Sequence, residues 1–129
     1  MAFLNDRVLD NGLFILTTEA TRLDICSREP TGYAEATADW SLGNKAPPVV
    51  GRPADRAPDG RKVVVAAIGD GKMTRNGVAT HWAITGITQR LVLATGALRE
   101  PMAITAGNIF TLDEFDIGIP GAAPQQQVM

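Results

Sequence analysis

Two side chains come first among those that could do chemistry: Cys26, the one cysteine, and His81, the one histidine. A cysteine nucleophile needs a base or a positive neighbour to hold it as thiolate. A working histidine needs an orienting partner and a nucleophile or metal within reach. Cys26 stands between Ile25 and Ser27 in TRLDICS, and His81 stands in THWAI. Both are strand-like stretches, and each residue fits a packed or hydrogen-bonded place in a strand better than a reactive one. One cysteine allows no intramolecular disulfide, and Cys/His zinc spacing is absent.

The carboxylates are the next candidates. Asp113, Glu114 and Asp116 could supply part of a calcium shell. No twelve-residue calcium loop surrounds them, and strand alternation sends Glu114 and Asp116 to one solvent face, so a solvated edge is expected. A glycosidase would need two acids at a set spacing in a cleft, and nothing in the sequence places Asp24, Asp70 or Glu100 in one. Gly69-Asp70-Gly71-Lys72 lacks the spacing of a phosphate loop and reads as a turn. Tyr33 and Trp40 lie in a proline-rich stretch. Such aromatics stack on sugars or anchor a partner, but they serve equally as plugs beneath a long loop, and plugs are the expectation. Arg52, Arg56, Arg61 and Lys62, interleaved with Asp55 and Asp59, suggest a mixed-charge contact surface. No cofactor and no metal is expected.

The elements that must position these residues follow from composition and pattern. The 129 residues carry 12 basic and 14 acidic side chains, a net charge of −2, which does not suit a chain whose main partner is nucleic acid. The N-terminus is interrupted by Asn5, Asp6, Arg7 and Asp10, which argues against a signal peptide. No run reaches the roughly 20 apolar residues needed to cross a bilayer. A soluble chain made in a reducing cytosol is expected. Its length suits one core, able to bury about two thirds of the unfolded surface. The 13 glycines and 8 prolines favour short strands and turns over long helices.

Along the chain, Leu4, Val8 and Leu9 recur at helical spacing, predicting one short helix over Phe3–Leu16. Thr21–Ser27 alternates as a half-buried strand. The stretch from Arg28 to Pro58 is broken by glycine and proline, with room for a helical turn at Tyr33–Asp39 and an edge strand at Val49–Arg52. Tyr33, Trp40 and Leu42 are expected to pin it to the body. Arg61–Ile68 reads as a central strand covered on both faces, and Gly69-Asp70-Gly71 as a turn. Asn76-Gly77 and Ala106-Gly107-Asn108 read as hairpin-type turns. Val78–Thr85 should place Val78, Trp82 and Ile84 on one face and Ala79 and His81 on the other. Arg90–Leu98 should pair with it as a hairpin, and Met102–Thr105 should form a further short strand. In the last strand, Ile109–Ile119, Phe110 and Leu112 are out of phase with Phe115, Ile117 and Ile119, which predicts a bulge or sharp bend near Asp113-Glu114. With no strand–helix–strand alternation, the expected fold is mainly β: an antiparallel β-sandwich, jelly-roll or immunoglobulin-like, with a short N-terminal helix. The expected organisation is one domain over residues 1–120 and a flexible tail over 121–129.

Several segments in order, MAFLNDRVLDNGL, TRLDICSREPTGYAEAT, GRKVVVAAIGDG, GVATHWAIT, VLATGAL and AGNIFTLDEFDIGIP, resemble small virion structural proteins of tailed bacteriophages. Head decoration (cement) proteins are the nearest type, with small head–tail and tail components beside them. The resemblance covers most of residues 1–120, and its motifs are turns and strands. It implies a β-rich body that binds a repeating protein lattice, with no catalytic motif to carry over. The implied partner is the major capsid protein or another virion protein. The implied location is the capsid surface, after synthesis in the host cytoplasm. Dimers or trimers at symmetry axes are the implied form, with neither nucleic acid nor membrane as partner. A stable contact buries about 1,200–2,000 Å², which a body of this size reaches through termini, loops or several copies. Phe3, Leu4, Leu9, Tyr33 and Trp40 are the expected contact residues. A minor tail, collar or fibre component, or a host-glycan-binding module using Tyr33 or Trp40, is the alternative. A weakly marked hydrolase would instead need a deep pocket holding two or more carboxylates.

Overall fold

The computed structural model describes residues 3–4, 12–55 and 61–119. The strands are β1 (Phe3–Leu4), β2 (Arg22–Cys26), β3 (Ser41–Lys45), β4 (Ala54–Asp55), β5 (Arg61–Val65), β6 (Ile68–Met73), β7 (Gly77–Gly86), β8 (Leu91–Ile104), β9 (Ile109–Leu112) and β10 (Phe115–Ile119). One helix, α1 (Phe14–Glu19), precedes β2, and a π-helical turn, Glu35–Asp39, precedes β3. Seven strands form a curled sheet in the order β1-β8-β7-β2-β3-β6-β9, and three form a second sheet in the order β10-β5-β4. Every strand pairing is antiparallel. The chain is thus mainly β and sandwich-like with a short helix near its N-terminus, as its pattern predicts.

Val63, Val65 and Ile117 from the small sheet join Leu23, Ile25, Ile84, Leu93 and Phe110 from the large one in a single core, with Leu16 of α1 beside them. A six-residue helix is unstable alone. This one is held by Ile15 and Leu16, which are buried, and by Thr17 Oγ1 donating to the Gly51 carbonyl at 2.7 Å. It is displaced from the expected Phe3–Leu16. Gly12 has φ +74°, which a right-handed helix cannot continue through, so the helix begins after it. Phe3 and Leu4 are extended instead, opposite Thr95 and Ala94 of β8. Residues 5–11 of that expected helix lie outside the described residues, as does the expected tail over 121–129.

β2 runs through the middle of the large sheet and is covered on both sides, where alternation predicts a half-buried strand. Leu23 and Ile25 face the main core, and Cys26 belongs to a second cluster with Ala36, Ala83 and Val92. The cover comes from the excursion after β2, whose helical turn lays Ala36 on that face. The excursion also contains β3, a regular strand that its glycines and prolines conceal. The expected edge strand at Val49–Arg52 is a single bridge, Val50 to Val65, and the edge strand proper lies further on at Ala54–Asp55.

β5 stops at Val65 and buries one face only, against the expected strand covered on both sides to Ile68. Gly69-Asp70-Gly71 is not a turn but part of β6. A side chain at Gly71 would collide with the Phe110 ring, so glycine there lets the aromatic seal the sheet. Asn76-Gly77 and Ala106-Gly107-Asn108 do reverse the chain, yet neither closes a hairpin, because β6 pairs with β3 and β9 while β7 pairs with β2 and β8. The hairpin predicted between β7 and β8 is formed.

Two irregularities matter most, one in β8 and one between β9 and β10. Ala79 pairs with Met102 and His81 with Ala97, so one β7 residue, Thr80, lies opposite four, Leu98–Pro101. Pro101, which cannot donate to a ladder, sits in this bulge, and β8 continues through it where two separate strands are expected. The slip also exchanges the faces of β7. Ala79 joins Trp82 and Ile84 in the core, and Val78 is left exposed. The bend expected at Asp113-Glu114 is a change of sheet, since β9 pairs with β6 and β10 with β5. Both phases of the apolar pattern therefore face one core.

Candidate functional site

The bulge in β8 and the β9–β10 crossing flank one open groove of about 330 Å³. Its apolar wall begins with Trp82, whose indole lies flat on Gly96 of the neighbouring strand. A Cβ at Gly96 would sit 2.6 Å from Trp82 Cζ2, so glycine is what admits the ring. Phe115 tilts against the indole, ring centroids 4.7 Å apart and planes at 40°. Met102 and Leu112, both half-buried, extend this wall. Arg99, Glu100, Asp113 and Glu114 line the groove as exposed residues. None of these four makes an ion pair among the described residues. Three carboxylates against one guanidinium make the groove electronegative.

β8 and β9 stand near opposite ends of the large sheet, and its curl together with the short turn that joins them brings both to one groove. Among the described residues, β1 covers the outer edge of β8 at Ala94 and Thr95. β9 pairs with β6 on one side, and among the described residues no strand pairs with its other side. Among the described residues, the groove is the seam at which the curled sheet stops short of closing on itself.

A second polar constellation lies inside the protein. The Asp24 carboxylate is fully buried. Arg22 donates to it twice, Nε to Oδ1 at 2.7 Å and Nη2 to Oδ2 at 2.8 Å. Ser41 Oγ donates to Oδ2 at 2.5 Å, and Arg22 Nη2 also donates to the Thr37 carbonyl at 3.0 Å. Burial pushes the Asp24 carboxyl above its usual range, against the opposite pull of Arg22 and Ser41. The network ties β2, β3 and the excursion together. With three donors on its two oxygens and no exposure to solvent, Asp24 is placed to brace the fold.

Cys26 is buried beside it, its Sγ 3.6 Å from the Ala36 carbonyl. Burial, aided by Asp24, pushes the thiol up to about 12. His81 Nδ1 is 2.9 Å from Thr80 Oγ1, whose hydroxyl is 3.0 Å from the Ser27 carbonyl. Cys26 and His81 are therefore held in structural surroundings. Asp113, Glu114 and Asp116 are all exposed, and Asp116 pairs with Lys62 at 3.1 Å. Among the described residues no group of three potential ligands could hold a metal ion.

The expected contact residues are dispersed. Phe3 and Leu4 are on the outermost strand of the large sheet, and Leu9 lies outside the described residues. Tyr33 and Trp40 are half-buried on the excursion, with Arg90 5.3 Å from the Tyr33 ring and Arg28 4.8 Å from the Trp40 ring. Trp40 packs on the second cluster, as a plug would. Sequence reasoning notices the acids at 113–116 and the phase slip beside them, but not the seam, which exists only once the sheet curls. No family model, curated protein or solved structure matches the chain. Among the described residues no helix is long and apolar enough to cross a membrane.

Proposed function

We propose that the chain is a virion structural protein of tailed bacteriophages, a decoration or cement protein that binds the lattice of the major capsid protein. The seam carries this reading: an apolar groove beside strand edges to which no described strand pairs is a surface suited to protein contact. Val49, Ile109, Phe14 and Val78, each more than half exposed, add apolar surface that a partner could cover. The resemblance of the ordered segments supplies the kind of partner. Copies arranged as dimers or trimers about the axes of the shell would multiply a modest contact per chain. The body is then a contact module on the outside of the capsid.

Removing the chain from the particle tests the cementing role. Particles lacking it are expected to lose their contents at lower temperature than complete ones. Unchanged heat resistance would remove the role.

A further inference from the structure

We propose that the seam between β8 and β9 takes up an extended segment of a partner protein in which apolar and basic side chains alternate. This rests on reading the chain as a contact protein and names the chemistry of what it contacts.

The backbone sets the shape of the occupant. Strands pair about 4.8 Å apart, so a strand laid between two edges needs a gap of roughly 10 Å. β8 beyond Thr95 and β9 each present an edge to which no described strand pairs, and residues of both strands line the same groove. A segment entering there would hydrogen-bond to one edge or both and complete the curled sheet.

The side chains set its chemistry. An extended segment sends alternate residues to opposite sides. Those turned inward would meet Trp82, Phe115 and Met102, an apolar wall. Those turned outward would meet Glu100, Asp113 and Glu114, whose carboxylates make no ion pair among the described residues. Lysine or arginine satisfies them, and its aliphatic stem can lie along the groove. An acidic segment would be repelled, so charge gives the seam its selectivity.

The test uses the full chain and two ten-residue peptides, one alternating valine with lysine and one alternating valine with glutamate. Hydrogen exchange is read at residues 98–100 and 111–113. The valine–lysine peptide is expected to slow exchange in both stretches and to bind roughly tenfold or more tightly than its acidic counterpart. The double variant Glu100→Lys/Glu114→Lys should invert that preference. Both positions are exposed, and an unchanged melting temperature would show that the variant folds. Equal binding of the two peptides, or no protection in either stretch, would overturn the proposal. So would faster exchange in the free chain after removal of residues 120–129, which would make the chain's own tail the occupant. Concentration-dependent protection without peptide would make it a second copy. Purified shells separate this proposal from the lattice reading. Shells that bind the charge-reversed variant as well as wild type would sink the seam alone. A chain that takes the basic peptide but is absent from particles would sink the lattice reading alone.

Discussion

Asp24 shows what one buried carboxylate does in this chain. Its ionised form loses solvation, and Arg22 and Ser41 replace much of it. Burial still wins, so the folded state holds the Asp24 proton more tightly than the unfolded chain does. The sign follows from linkage. Acidification through the raised value favours the folded state, and rising pH removes that gain. Arg22→Ala should therefore cost about 3 kcal/mol near neutral pH, because it strands a buried charge. The deficit should shrink on acidification, as the carboxyl takes a proton. Denaturant melts of wild type and variant at neutral and at acidic pH measure this, and a deficit independent of pH would contradict it. Cys26 gives a second prediction at this scale. With its thiol pushed up to about 12 and no path to solvent, it should resist a thiol reagent in the native chain and react once the chain is denatured.

At the scale of elements, two glycines decide where aromatics can lie. Gly71 admits the Phe110 ring, and Gly96 admits the Trp82 indole. Gly71→Ala should cost about 1–3 kcal/mol through overpacking, lowering the melting temperature by several degrees. Gly96→Ala should shift the Trp82 fluorescence as well, because the indole must leave its strand. A Gly96→Ala spectrum identical to wild type would contradict that placement. Much of the strand pattern was legible in sequence because period-two alternation survives where strands are regular. The break at Asp113-Glu114 showed as a phase slip, and it became a change of sheet. The slip at Thr80 left no such trace, since Val78 and Ala79 are both apolar and either can face the core. Gly69-Asp70-Gly71 looks like a turn for good local reasons, and the packing of Phe110 overrides them. β3 was hidden by its glycine and proline surroundings, although Leu42 within it was expected to pin the excursion.

At the scale of the whole molecule, the curl of the large sheet creates the feature with the most functional content. It leaves β8 and β9 flanking one groove, with aromatic side chains on its wall and carboxylates within it that make no ion pair among the described residues. No local signal announces this, because Trp82, Glu100 and Glu114 come from separate elements. The same curl explains how a small chain with its groove acids exposed and its cysteine sealed can still offer a specific surface. On a lattice, such a surface acts many times over. The ratio of this chain to the major capsid protein in purified particles, by quantitative mass spectrometry, tests that most directly. A decoration protein should be present in a fixed ratio set by the symmetry of the shell, in step with the capsid protein across preparations. A few copies per particle would place it in the tail or collar, and its absence would contradict the account.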